Sequence, residues 1–179
     1  MKKLILISVL ACVILAMPLV DIRSQGNTAR EVATSAMTSV SIVVPLAARE
    51  TSQLSFGRFY PGQQGGTITI SPQGSASWTS GVQLAASAPS AAIFSISGQG
   101  DATFAINLPN GPAILTSTDG TKTMQVNNWV SVPENGDAKV RLAGGAQEVR
   151  IGATLNVGSL DQNPKGIYTG SYEVTFGYN

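Results

Sequence analysis

The side chains that most often carry catalytic chemistry are scarce in this sequence. Its 179 residues include no histidine and a single cysteine, Cys12, which lies inside an apolar N-terminal stretch. Serine and cysteine nucleophiles are usually activated by a neighbouring histidine, which this chain does not contain. The sequence therefore does not predict a hydrolase or transferase of either kind.

The carboxylates are the other candidate catalytic groups, and they are scattered. A glycosidase needs two carboxyl groups that face each other across the substrate, and the spacing here does not indicate such a pair. Asp119-Gly120 and residues 135–137 are typical of hairpin turns, because neither has the dense run of oxygen ligands of a calcium loop. We predict that the protein is not an enzyme and has no metal or cofactor. The acids beyond residue 24 are Glu31, Glu50, Asp101, Asp119, Glu134, Asp137, Glu148, Asp161 and Glu173.

Three aromatic side chains are candidates for ligand binding. Trp78, Trp129 and Tyr60 could line a flat platform for a sugar ring. A tryptophan in a small β-domain more often packs in the core, with its N–H group bonded to a nearby acceptor. Trp78 and Trp129 are therefore candidate ligand aromatics, with core packing as the other interpretation.

The elements that would position these residues are short β-strands. Runs of alternating apolar and polar residues are separated by clusters of Gly, Pro, Asn and Asp, which is the pattern of an antiparallel sandwich or barrel. No stretch sustains a helical period, and residues 29–37 would form at most a turn or two of helix. The predicted class is all-β. The runs cover residues 54–59, 66–70, 77–85 with a bulge at Gly81, 92–96, 103–108, 124–126, 129–132, 139–142, 148–157 and 168–178.

The N-terminus has the layout of a secretory signal peptide. Lys2 and Lys3 precede an apolar run over residues 4–20, and polar residues follow. We expect export through the Sec pathway, with cleavage after Ser24 favoured over cleavage after Ala16. The 17-residue run is close to the lower limit for spanning a bilayer, so an uncleaved anchor is the alternative. Residues 9–12 also match a lipoprotein box, but apolar residues continue after Cys12, which favours an ordinary small residue of the signal core.

Charge excludes some partners and favours a location. Without residues 1–24 the chain has eight basic and nine acidic residues. No basic patch indicates nucleic-acid binding, and nothing in the sequence indicates a small-molecule substrate. Ser, Thr, Gly, Ala, Asn and Gln provide most of the polar surface, which favours an extracellular β-protein at the cell surface that passes through the periplasm.

A long two-residue alternation precedes the first clear strand. Its even positions are Val32, Thr34, Ala36, Thr38, Val40, Ile42, Val44 and Leu46. Such a pattern is typical of a strand with one apolar face. Residues 40–46 are either the first strand of the domain itself or part of a strand donated to a neighbouring molecule, and both functions could share the segment. The candidate donor residues are Val32, Ala36, Val40, Ile42 and Val44.

The C-terminal strand alternates in the same way. Tyr168, Tyr172, Val174, Phe176 and Tyr178 fall on one face, with Gly, Ser, Glu and Thr between them. A strand with such a face is either a core strand or one half of an intermolecular pair. The candidate subunit-interface residues here are Tyr172, Val174, Phe176 and Tyr178.

Four segments carry a resemblance to a known family. They are residues 54–57, 65–70, 151–157 and 166–179, and the last contains two Gly-x-Tyr steps and ends in Tyr178-Asn179. Over residues 38–179 the chain resembles a bacterial exported family known as domain of unknown function 4402. That family is similar to spore-coat-U-like and chaperone–usher pilin domains.

The resemblance implies an incomplete immunoglobulin-like sandwich that is completed by a donated N-terminal strand, with Tyr178 as the penultimate aromatic. The chain departs from familiar pilins because its first strands contain no disulfide. We expect residues 1–24 to be the signal peptide, residues 25–39 an extension with a candidate donor strand, and residues 40–179 the sandwich domain.

The expected function is that of a structural subunit of a fimbria-like or pilus-like surface appendage, polymerising by donor-strand complementation. Its partners would be copies of itself or related subunits, with a periplasmic chaperone and an outer-membrane usher. The alternative is a monomeric surface adhesin that binds carbohydrate.

Overall fold

Strands dominate the computed structural model, which describes residues 40–179. One 3₁₀ turn spans Ala143–Gly145, and no α-helix occurs within the described residues. Accordingly, this part of the chain has no helix that is long and apolar enough to cross a membrane. The strands are β1 (Ala47–Ser52), β2 (Phe59–Pro61), β3 (Gly66–Ile70), β4 (Ala76–Trp78), β5 (Val82–Leu84), β6 (Ala92–Ser97), β7 (Thr103–Asn107), β8 (Ala113–Ser117), β9 (Thr123–Val132), β10 (Gly136–Arg141), β11 (Ala146–Val157), β12 (Tyr168–Thr169) and β13 (Thr175–Tyr178).

The larger sheet is organised around β11. Its strand order is β1-β6-β11-β9-β8-β12, and all pairs are antiparallel. One edge of β11 pairs first with β6 and then with β3, while the other edge pairs with β9. Gly152 lies where the partner changes, and a Cβ atom there would be 2.2 Å from the carbonyl oxygen of Ile70. Glycine therefore allows two strands to share one edge of β11.

Two small sheets lie over the large one. One has the order β10-β7-β13 and the other is the ribbon β2-β5. The first covers a cluster of buried residues from β6, β7, β10 and β11, including Ile96, Phe104 and Ile151. The second covers a cluster built mainly from β3, β9 and β11, with Phe59 and Leu84 packed against it. The core therefore has two halves, each beneath a different small sheet.

The alternation in β11 produces both halves of this core. From Val149 to Val157 the odd-numbered residues are buried in one cluster or the other, because successive strand residues point to opposite faces. Burying each large aliphatic side chain stabilises the fold by roughly 1.5–3 kcal/mol. The buried apolar side chains are those of Val149, Ile151, Ala153, Leu155 and Val157.

The predicted all-β class is confirmed: the fold is an antiparallel, sandwich-like arrangement. The predicted runs at residues 66–70, 92–96, 103–108 and 148–157 correspond closely to β3, β6, β7 and β11. The Asp119-Gly120 hairpin is also confirmed, because it joins β8 to β9. Asp119 Oδ1 accepts hydrogen bonds from Ser117 Oγ at 2.6 Å and from Thr121 N at 3.0 Å. These bonds, that of Ser117 first, lower the pKa of Asp119.

Several predicted strands differ from the structure. Of the two alternatives for residues 40–46, a first strand of the domain itself is not observed, because the first strand is β1, which begins at Ala47. Residues 54–59 form one isolated bridge at Ser55 and join a strand only at Phe59. Residues 77–85 are not one bulged strand, because a turn at Gly81 separates β4 from β5. A Cβ atom on Gly81 would clash with the carbonyl oxygen of Gly65, so two chain segments cross closely at this turn.

Candidate functional site

The C-terminal segment runs antiparallel to both β8 and β7. Tyr168 and Thr169 pair with β8, and β13 pairs with β7. The single predicted strand over residues 168–178 is therefore two strands with an irregular stretch between them. Thr175 comes seven positions after Tyr168, whereas their pairing partners, Asn107 and Ser117, are ten positions apart. The pairing register of the C-terminal segment therefore changes between β12 and β13, opposite residues 108–112. Within the described residues β13 pairs on one edge only.

The predicted alternation of the C-terminal segment is visible in its burial. Tyr172, Val174 and Phe176 are half-buried against the core, whereas Glu173 and Thr175 are exposed. The ring of Phe176 lies 5.6 Å from that of Phe94 and 6.3 Å from that of Phe104, measured between centroids. The predicted apolar face therefore packs against the core. The edge of β13 that faces away from β7 has no neighbouring strand within the described residues.

A cavity of about 740 Å³ lies next to this segment. We call it the central cavity. Its walls are residues 53–61 on one side and residues 165–172 on the other, and its floor is the half of the core that contains Met124 and Leu155. Apolar and aromatic side chains dominate the lining, among them Leu54, Phe56, Phe59, Leu115, Met124, Val126, Trp129, Leu155, Tyr168 and Tyr172. The β2-β5 ribbon therefore leaves part of this core uncovered.

Tyr172 and Trp129 lie together at the cavity wall. Their rings stack with centroids 4.8 Å apart and an interplanar angle of 29°. The indole N–H of Trp129 donates to the carbonyl oxygen of Gly111 at 3.2 Å, and Trp129 contacts both halves of the core. Burial raises the pKa of the Tyr172 hydroxyl, and the nearby Glu50 carboxylate raises it further. The hydroxyl oxygen itself is buried and has no hydrogen-bond partner among residues 40–179.

Tyr178 joins the C-terminal strand to the segment that precedes β1. Its hydroxyl donates to the carbonyl oxygen of Val44 at 2.8 Å and accepts a hydrogen bond from the backbone N–H of Gln99 at 2.6 Å. Gly98 makes the approach possible, since a Cβ atom there would clash with the tyrosine oxygen. The described N-terminal segment thus leaves the domain beside the end of β13.

Residues 40–46 are apolar and form no strand. Val40 is 87% exposed and Ile42 is 91% exposed, and Val43 and Val44 are also largely exposed. The other two candidate donor residues, Val32 and Ala36, lie outside the described residues. So do the expected signal peptide and residues 25–39.

The two tryptophans are in different environments. Trp129 is part of the cavity wall and is half-buried, whereas Trp78 is 51% exposed at the sheet edge formed by β4. Trp78 and Tyr60 line one shallow pocket of about 470 Å³ with Ser80 and Gln83. The structure therefore joins Trp78 with Tyr60 and separates Trp78 from Trp129, whereas Tyr60 lines both this pocket and the central cavity.

No cluster of three metal-binding side chains occurs among residues 40–179. Neither the central cavity nor the Trp129–Tyr172 stack was predicted from the sequence. Both features are formed by residues that are distant in the chain. The two Gly-x-Tyr steps at residues 166–172 belong to one wall of the cavity, and they were noted in the sequence. A Cβ atom on Gly170 would lie 2.2 Å from the carbonyl oxygen of Ile114, so this glycine allows the close approach to β8.

Comparison with known families identifies the domain. The model of a family described as domain of unknown function (DUF4402) matches residues 46–178. The chain belongs to this family. The match begins one residue before β1 and ends at Tyr178, so the DUF4402 region contains every strand described above. No curated protein and no solved structure matches the chain.

Proposed function

We propose that this DUF4402 protein is a structural subunit of a bacterial surface fibre, joined to its neighbours by strand donation. The observation that carries the proposal is the central cavity, which opens over the core beside residues 165–172 of the C-terminal segment. An extended segment that fills the cavity gains main-chain hydrogen bonds from a free strand edge. It also buries alternate side chains against the core.

The proposed donor is the N-terminal segment of a second copy, from about residue 30 to residue 46. Its described part is apolar and exposed, and exposed apolar clusters are typical of surfaces that bind a partner. The alternation at Val32, Ala36, Val40, Ile42 and Val44 would place these residues on one face of an inserted strand. This arrangement would bury apolar surface that residues 40–44 expose in the single molecule.

The proposed site has two different halves, and this determines the kind of assembly. The donor segment precedes β1, whereas the acceptor is the cavity between residues 53–61 and 165–172. Contacts between two unlike surfaces repeat head to tail and build a filament when the rotation does not close a ring. Of the predicted interface residues of the C-terminal segment, Tyr172 lines this acceptor cavity, whereas Val174, Phe176 and Tyr178 lie outside its lining.

The similarity of this family to spore-coat-U-like and chaperone–usher pilin domains is part of the proposal. It adds export through the Sec pathway, a periplasmic chaperone that protects the cavity before assembly and an outer-membrane usher. The partners are further copies of this chain or related subunits, and the protein has no catalytic role. The completed domain would be an immunoglobulin-like sandwich.

The test compares residues 25–179 with residues 47–179. The longer form should give fibres, or heat-stable ladders in gel electrophoresis, and the shorter form should stay monomeric. A peptide of residues 30–46 should raise the melting temperature of the shorter form, because it fills the cavity. If both forms are monomeric and equally stable, and the peptide has no effect, strand donation is wrong.

The second candidate function is carbohydrate binding at the Trp78–Tyr60 pocket. Two exposed aromatic rings lie there with the amide of Gln83 and the hydroxyl of Ser80, and the pocket lining carries no charged side chain. Sugars are bound by such combinations of aromatic faces and neutral hydrogen-bonding groups. The same observation does not favour Trp129, whose ring is stacked on Tyr172 at the central cavity.

This candidate predicts binding on a glycan array that is lost in Trp78→Ala. The matched control is Trp129→Ala, which removes the other tryptophan at a distance from the pocket. Fibre formation should be unchanged in Trp78→Ala, because Trp78 does not line the central cavity. Binding that survives Trp78→Ala, or no binding by the unmodified protein, would exclude the adhesin alternative at this pocket.

A further inference from the structure

The charged side chains of the central cavity all have the same sign. Arg58 and Lys165 are the two charged residues in its lining, and no carboxylate belongs to it. They come from different walls, since Arg58 lies within residues 53–61 and Lys165 within residues 165–172. Neither cation forms an ion pair with another side chain of the described residues. The cavity therefore combines two unpaired positive charges with an apolar interior.

The lining changes in character between the mouth of the cavity and its interior. Both cations are exposed, so they lie where the cavity meets solvent. Leu160 and Ile167 also line the cavity and are 54% and 70% exposed, so apolar surface continues to the mouth. The lining residues of the interior are almost completely buried, and they are Phe56, Met124, Val126 and Leu155. A molecule with an anionic head and an apolar chain would match both regions.

Hydrogen bonds hold the backbone that carries both cations. The N–H of Arg58 donates to Ser87 Oγ at 2.8 Å, and its carbonyl oxygen accepts a hydrogen bond from the N–H of Ala85 at 2.9 Å. On the other wall, the buried side chain of Asn163 donates to the carbonyl oxygen of Thr123 at 2.9 Å, two positions before the second cation. The two positive charges are therefore positioned by the fold of the single molecule, and a ligand need not order these segments when it binds.

We propose that the central cavity of the single subunit binds a long-chain carboxylate, with its head group at Arg58 and Lys165 and its alkyl chain in the apolar interior. Arginine pairs with a carboxylate through two parallel hydrogen bonds, and lysine adds a point charge. A volume of about 740 Å³ is in the range of cavities that enclose one small organic molecule, which favours one alkyl chain over the two of a phospholipid. The inference does not rest on strand donation. In the proposed fibre, the donated strand would displace this ligand.

The test compares three probes that share one alkyl chain and differ in the head group: hexadecanoate, hexadecanol and hexadecylammonium. Their binding to the monomer of the full exported chain is titrated by native mass spectrometry. Hexadecanoate should bind about tenfold more tightly than hexadecanol, because two exposed ion pairs each add a modest stabilisation. Hexadecylammonium should bind more weakly than either, because its charge is repelled. Hexanoate should bind poorly, since its short chain buries little apolar surface.

Charge-removing variants then locate the head group. Arg58→Gln combined with Lys165→Gln should lower the affinity for hexadecanoate to that for hexadecanol, and the affinity for hexadecanol should stay the same. The matched control is Arg49→Gln combined with Lys139→Gln, which removes two exposed cations that do not line the cavity. This control should keep the tenfold preference. Leu115→Trp should weaken binding of hexadecanoate and hexadecanol alike, because it fills part of the cavity.

The results separate this inference from strand donation. If hexadecanoate binds no more tightly than hexadecanol, or if the preference survives loss of both lining cations, the carboxylate site is wrong, whether or not fibres form. If the preference depends on these cations and the chain forms no fibres, the carboxylate site stands and strand donation fails. If both proposals hold, the peptide of residues 30–46 should release bound hexadecanoate from the monomer, because the two occupy the same cavity.

Discussion

At the scale of single residues, Tyr178 links the last strand to the segment that precedes the first. Its hydroxyl bridges Val44 and Gln99 through two hydrogen bonds. In the proposed fibre this contact fixes the point from which the donor segment leaves the subunit. It would therefore limit how freely one subunit moves relative to the next.

We expect Tyr178→Phe to lower the free energy of unfolding by about 1 kcal/mol, because two partly exposed hydrogen bonds are lost. Cleavage by a non-specific protease within residues 40–46 should become faster in the monomer. The measurements are chemical denaturation and timed proteolysis. Tyr60→Phe is the matched control, because Tyr60 is 66% exposed and its hydroxyl makes no hydrogen bond within residues 40–179. Equal behaviour of the two variants would show that the contact contributes nothing.

At the scale of elements, alternation predicts the strands whose two faces have different surroundings. In β3, which was predicted, Ile68 and Ile70 are completely buried, whereas Thr67 and Thr69 are only half-buried. β1 was not predicted, because its sequence, AARETS, is almost entirely exposed and the strand is held by pairing with β6. An edge strand stabilised mainly by backbone hydrogen bonds carries little hydrophobic pattern.

The candidate site was predictable only in part, for the same reason. The alternation of Tyr172, Val174 and Phe176 predicted a half-buried face. The central cavity depends on how residues 53–61, β8 and residues 165–172 pack against one another. These segments are far apart in the chain, so no local sequence pattern predicts the space between them. The break between β12 and β13 was also missed, because apolar alternation continues across it while the partner strand changes from β8 to β7.

At the scale of the whole molecule, the proposed donor and the proposed acceptor are separate surfaces of one chain. The donor segment precedes Ala47, and the acceptor cavity lies against residues 165–172. Each subunit of the proposed fibre would therefore use one surface toward each neighbour. A fibre of this kind has a free acceptor at one end and a free donor at the other.

This polarity predicts that a chain without a donor stops growth. A form that begins at residue 47 retains the cavity, so it can accept one neighbour but cannot extend into the next. About one truncated chain per ten full-length chains should shorten fibres to roughly ten subunits, because each truncated chain ends one fibre. Electron microscopy of the length distribution measures this effect. The control is a truncated chain that also carries Leu115→Trp, which fills part of the cavity and should leave fibre length unchanged. Symmetric dimers in place of short fibres would instead show that the two chains exchange like surfaces, which contradicts head-to-tail donation.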